Sequence, residues 1–168
     1  MIQDYIDQGW RLVLIAPSSK SPSSPEWNKL ENTIKTLDQI PDTHGIGLAH
    51  AYSGTMSLDI DNWKEADKLL KEHNINLQDL YNAPDSVAIN SGKANRGKLL
   101  FAMPFGITLP SKKITYRDDT NSNQVAYELR CATQSGLTVQ DVLPPSIHPE
   151  TGMPYSWDGN GSYNKLPT

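Results

Sequence analysis

The chain has 168 residues, 37% hydrophobic and 20% charged, which is enough apolar material for a core and argues against wholesale disorder. A formal net charge of −4 disfavours a partner held by a broad basic surface, so any nucleic acid must be gripped by a local patch or through bound metal ions. A single cysteine, Cys131, excludes a disulfide framework and a cysteine zinc cluster, in keeping with a reducing cytoplasm, and no apolar run or basic leader points to a membrane or to export.

In chain order, residues 11–16 read as a short buried strand stopped by Pro17, and the Ser/Pro-rich stretch 18–25 as a surface loop. Residues 30–39 read as a helix ended by Pro41. The apolar runs 45–49 and 55–60 flank the turn chemistry of Tyr52-Ser53-Gly54 and predict a β-hairpin. Trp63, Ala66, Leu69 and Leu70 fall at helical spacing, giving a helix over 63–73 with Asp61 or Asn62 as N-cap. A second short helix is expected over 77–81 and strands over 86–90, 98–103 and 125–130. From Pro144 onward the chain reads as ordered loops or short hairpins. With no repeat and no linker, this alternation predicts one domain of α/β or α+β class built on a mixed sheet.

Four segments carry possible chemistry. In Met56-Ser57-Leu58-Asp59-Ile60-Asp61, strand alternation sends Leu58 and Ile60 to one face and Asp59 and Asp61 to the other. Two carboxylates about 6–7 Å apart on one face repel unless a cation lies between them, and a hard Mg²⁺ or Mn²⁺ suits them. The alternative is that Asp61 caps the next helix while Asp59 is simply solvated. In Val125-Ala126-Tyr127-Glu128-Leu129-Arg130, Glu128 and Arg130 share a face, so that beside the first strand they supply a third carboxylate and a phosphate fork; a cross-strand salt bridge is the plainer reading. The loop Ser91-Gly92-Lys93-Ala94-Asn95-Arg96-Gly97-Lys98 is either a triphosphate cradle or an ordinary basic hairpin loop, and it lacks the Walker A pattern. The run Pro144-Pro145-Ser146-Ile147-His148 holds Ser146 and His148 on a stiff backbone, where His148 either donates to a phosphate or sugar or is an ordinary surface histidine. His44, His50 and His73 show no ligand spacing, and nothing suggests a nucleophile and its base.

Taken together, these pieces resemble the N-terminal primase-polymerase (prim-pol) domain of the archaeo-eukaryotic primase superfamily over nearly the whole chain. Gly9-Trp10, Lys20, Pro22 and Trp27 resemble its opening segment, Leu58-Asp59-Ile60-Asp61 its first motif, and Ser91-Gly92 through Leu99-Leu100-Phe101 its second. Tyr127-Glu128-Leu129-Arg130 resembles the third, and the Pro144-Pro145-Ser146, His148-Pro149, Thr151-Gly152 and Tyr155-x-Trp157 tail is the most distinctive part. Lys98 stands where the second motif usually ends in histidine, and Glu128 where the third usually has aspartate.

The resemblance implies a small N-terminal α/β unit beside an RRM-like mixed sheet, with the active-site cleft between them. It implies template-directed nucleotidyl transfer, as a DNA primase or polymerase, with Asp59, Asp61 and Glu128 holding two Mg²⁺ or Mn²⁺ ions. Ser91, Lys93, Arg96, Lys98, Arg130 and His148 would grip the incoming nucleoside triphosphate, and single-stranded DNA template and primer would be the partners. A helicase segment in the same polypeptide, a cytoplasmic or nucleoid location and encoding by a phage or plasmid are further expectations. Two rivals are a non-catalytic nucleic-acid-binding module of the same fold and a metal-dependent phosphoesterase or nuclease.

Overall fold

The computed structural model describes residues 1–168. Helix α1 (Ile2–Asp7) lays Ile2, Tyr5 and Ile6 on the core and gives way to strand β1 (Leu12–Ile15). β1 is buried on both faces. Leu12 joins a cluster with Tyr5, Trp10, Ile46 and Leu48, while Val13 and Ile15 join Ala49 and Val142 on the other side. It pairs antiparallel with β2 (Gly45–Ala49), which pairs in turn with β8 (Gln140–Val142), giving a three-stranded sheet in the order β1-β2-β8.

The helix expected over 30–39 does not form. Two short 3₁₀ turns, Leu30–Asn32 and Leu37–Gln39, flank extended backbone at Thr33 and Thr36. Ile34, only 4% exposed, bridges Leu12, and its N–H donates to the Leu12 carbonyl at 2.7 Å. The open edge of β1 thus captures this segment, and a strand-edge hydrogen bond plus burial of Ile34 outweighs a weak local helix preference.

Strand β3 (Thr55–Ile60) begins the second sheet. The expected hairpin between β2 and β3 is also absent, because the two strands belong to different sheets. A single helical turn, α2 (His50–Ser53), carries the chain across, and Gly54 ends it in the left-handed conformation (φ 62°). The second sheet has six strands, completed by β4 (Val87–Asn90), β5 (Gly97–Ala102), β6 (Lys112–Arg117), β7 (Asn123–Arg130) and β9 (Ser156–Asp158). Their order is β6-β7-β3-β5-β4-β9. The class is α+β as expected, but the expected mixed sheet is not found: every ladder between named strands is antiparallel.

Helices α3 (Trp63–Lys71) and α4 (Leu77–Asn82) cover one face of the large sheet, where Leu58, Ile60, Leu99 and Tyr127 meet Ala66, Leu70 and Leu77. Asn62 caps α3 by accepting from the Glu65 N–H, and Asn76 caps α4. On the opposite face Val87, Ile89 and Leu100 pack against Leu12, Ile46 and Leu48 of the small sheet. Farther along this face the side chains turn polar, and a cleft opens between the sheets. Trp157 closes the far end in an aromatic group with Tyr5, Trp10 and Tyr163, its indole N–H donating to the Tyr5 hydroxyl at 2.7 Å.

Candidate functional site

Strand registers bring the acids together. Asp59 of β3 lies opposite Glu128 of β7 on one side and opposite Lys98 of β5 on the other. Directly paired residues leave a sheet on the same face, so the three form one row on the face that carries the cleft. Ser57 and Arg130 form the next row. Asp61 sits just beyond β3, where the carbonyl of Ala126 accepts from the N–H groups of both Asp61 and Asn62 at 3.0 Å. The Asp61 contact continues the β3–β7 register by one residue, on the side of β7 that faces away from β6. With Asn62 as the cap of α3, the Asp61 carboxylate is released from that role.

The cleft has a volume of about 250 Å³ and is lined by eight of the nine side chains singled out in the sequence: Asp59, Asp61, Ser91, Lys93, Arg96, Lys98, Arg130 and His148. Glu128, the ninth, is not in that lining; it is 14% exposed and bonded to Arg130 beside it. Lys20, Gln140, Asp141 and Tyr155 are the other polar residues of the walls, and Ile60, Ile89, Gly97 and Val142 complete them.

Each acid rests on a base. Asp61 accepts from Arg96 at 2.7 Å, Glu128 from Arg130 at 3.0 Å, and Asp59 has the Lys98 ammonium 3.6 Å away. No three His, Cys, Asp or Glu side chains stand close enough together to cage an ion. The donor chemistry nevertheless suits a hard divalent cation, since all three groups offer carboxylate oxygen. Burial pushes the Asp59 carboxyl up from its ordinary value against the pull of Lys98, and the negative charge of Asp141 adds to the push. A cation at Asp59 would relieve that cost.

Sequence reasoning missed Asp141, which the small sheet delivers from β8. Its side chain is 2% exposed. Lys98 donates to Oδ1 at 2.5 Å and Arg130 Nε stands 2.9 Å from the same oxygen; Oδ2 is held by the Ser57 hydroxyl and by His50 Nε2 at 2.9 Å. Burial opposes its ionisation, yet Lys98, Arg130 and the His50 hydrogen bond hold its pKa well below the usual range. The visible clue was an acid in the otherwise uncharged stretch Leu137-Thr138-Val139-Gln140-Asp141-Val142-Leu143. Arg130 is engaged on three sides, because its Nη2 also donates to the Gln140 carbonyl at 2.7 Å.

The loop over 91–96 is not a glycine cradle. The Gly92 N–H is taken by the Asn90 side chain at 2.7 Å, and Gly97 lies inside β5. Its cations do face the cleft, with Lys93 and Lys20 both paired to Glu150. His148 is fully buried. Its Nδ1 accepts from the N–H groups of Glu150 and Thr151 at 3.2 and 3.3 Å, which leaves the proton on Nε2, where no protein acceptor meets it. Burial, with Lys20 and Lys93 nearby, lowers its pKa and keeps the ring neutral. Ser146 turns inward, accepting from the Ile46 N–H at 2.9 Å, and so serves the fold.

The family model described as the N-terminal domain of bifunctional DNA primase/polymerases, Prim-Pol, matches residues 2–168. The chain belongs to that family. No curated protein matches it. A Prim-Pol domain is a DNA primase/polymerase module that binds nucleotides and DNA, and enzymes of this family generally use divalent metals. In this Prim-Pol chain, no helix is long and apolar enough to cross a membrane.

Proposed function

We propose that the cleft catalyses template-directed nucleotidyl transfer, making or extending a DNA primer. Asp59, Asp61 and Glu128 would hold Mg²⁺ or Mn²⁺. The reading is carried by one observation: Asp59 and Glu128 are cross-strand partners on the cleft face, with Lys98 beside them in the row and Arg130 in the next one.

In this reading the protein binds and orients. Lys93 and Arg96 reach the triphosphate from the loop over 91–96, and Ser91 offers a hydroxyl at its start. His148 donates its unpaired Nε2–H to a phosphate oxygen, as a neutral donor of fixed tautomer. Lys98 and Arg130 contribute charge from the floor. Divalent ions held by Asp59, Asp61 and Glu128 would supply charge neutralisation at the triphosphate and a lowered pKa for the attacking hydroxyl. Most of the rate then comes from positioning and charge stabilisation.

The ion pairs on all three acids favour one rival, a nucleic-acid-binding module of the same fold without catalysis. A labelled primer on a DNA template, incubated with dNTPs or NTPs and either metal, separates the two. Elongation that disappears in Asp59→Asn and Asp61→Asn supports the polymerase. Binding without incorporation supports the rival, and shortening of the strand would indicate a nuclease.

A further inference from the structure

The proposed reaction leaves Asp141 without a role, although it is the most buried acid of the cleft. It lies at the junction of the two sheets and divides the cations of the large sheet between itself and the other acids. Lys98 Nζ stands 2.5 Å from Asp141 and 3.6 Å from Asp59. Arg130 places Nε 2.9 Å from Asp141, an ion-pair contact without a hydrogen bond, and donates from Nη1 to Glu128 at 3.0 Å. Asp141 cannot swing away from this arrangement. Its second oxygen is tied to Ser57 and to His50, and Thr55 fixes the His50 ring at 2.9 Å. Two cations therefore face three carboxylates, and Asp141 takes the larger share of Lys98. Without its charge the balance would be two against two, and Lys98 and Arg130 would close on Asp59 and Glu128.

We propose that Asp141 is a positioning residue that holds Lys98 and Arg130 back from Asp59 and Glu128, leaving those carboxylates the surplus negative charge that takes up a divalent cation. This inference rests on the proposed reading of the acids as cation-holding.

Mn²⁺ titration of the purified chain, followed by the electron paramagnetic resonance of the free ion, tests it without any turnover. Asp141→Asn keeps the shape and can still bond Ser57 and His50. It is expected to bind Mn²⁺ at least about tenfold more weakly than wild type, the effect of one nearby unit charge. Lys98→Met removes a competing cation and is expected to bind Mn²⁺ more tightly than wild type. The double variant Asp141→Asn with Lys98→Met should return close to wild-type affinity, a rescue that a purely structural carboxylate would not allow. Unchanged affinity in Asp141→Asn, or a double variant no better than that single one, overturns the role. Should Asp141→Asn not fold, Lys98→Met decides alone: tighter binding supports the role and unchanged binding overturns it. A wild-type chain that takes up no Mn²⁺ brings down the metal reading and this inference together. Uptake with equal affinity in every variant leaves the metal reading standing and removes only Asp141.

Discussion

Asp59 and Glu128 face each other across the antiparallel ladder of β3 and β7, and both side chains leave the sheet on the cleft side. Asp59 is also the acid whose ionised form the fold tolerates least, because burial raises its pKa despite Lys98. A neutral isostere should relieve that burden. Asp59→Asn is expected to melt at or above the wild-type temperature while losing more than about a hundredfold of nucleotide incorporation, beyond the usual effect of removing a group that only supports a metal ligand. Glu128→Gln should show a comparable loss of incorporation. Thermal denaturation beside primer extension checks both, and an Asp59→Asn protein that is clearly less stable would contradict the electrostatic argument.

What was legible in the sequence was local. The alternation around Asp59 and Glu128 placed each acid on the polar face of its strand, and helical spacing placed α3 behind the first of them. The order of the motifs suggested that the strands are neighbours, which strand alternation alone could not. The failures came where distant chain decided the outcome. Ile34 is extended because Leu12 offers an open strand edge, and β2 and β3 separate because the chain crosses to a second sheet. Asp141 was overlooked because its meaning lies wholly in partners from three other strands and a turn. Strand β6, an edge strand carrying Lys112, Lys113 and Arg117, has too polar a pattern to stand out.

Acid should destabilise the fold through Asp141. Its pKa in the folded chain lies well below the unfolded value, so its contribution is complete above the ordinary carboxylate range and is lost as pH falls toward the folded value. Stability followed by chemical denaturation should therefore decline below about pH 4. Asp141→Asn should lower stability at neutral pH by about 3–5 kcal/mol, since two cations lose a buried partner, and its decline in acid should be shallower.

Glu150 occupies Lys93, a cation that the triphosphate would need, and Lys20 in the same cleft wall. It is exposed, yet it pairs with both Lys93 and Lys20 at the mouth of the cleft. Surface pairs of this kind are weak, and removing the competitor should help an incoming anion. Glu150→Gln is expected to lower the KM for nucleotide by about two- to fivefold with little change in kcat. A raised KM would show that Glu150 organises the lysines and does not compete for them.

His148 offers an Nε2–H with no protein acceptor, and burial lowers its pKa. Its resonances in a histidine NMR titration should therefore move at a midpoint below 6.5, with the neutral ring present throughout the neutral range. Loss of one donor to a charged phosphate should weaken nucleotide binding in His148→Ala by about tenfold or more. Equal affinity in the variant would assign the imidazole to the loop alone, through its bonds to the N–H groups of Glu150 and Thr151.

Gly97 and Tyr81 couple the helical layer to the strand that carries Lys98. A Cβ built at Gly97 would lie 2.0 Å from the Tyr81 hydroxyl oxygen and 3.0 Å from the ring carbon that bears it. Tyr81 is packed against Trp63, with ring centroids 4.9 Å apart, so it cannot retreat without disturbing α3. Gly97→Ala should therefore cost about 1–3 kcal/mol, the usual penalty of overpacking. The Tyr81 hydroxyl has no hydrogen-bond partner, so Tyr81→Phe removes an unsatisfied buried group and should be neutral or mildly stabilising. The two side chains share one contact, so their effects should not add. In the double variant the alanine methyl meets a ring edge in place of an oxygen, and its cost should fall by about 0.5 kcal/mol or more. Urea denaturation of the four proteins measures this coupling, and strict additivity would mean that the strain at Gly97 arises elsewhere.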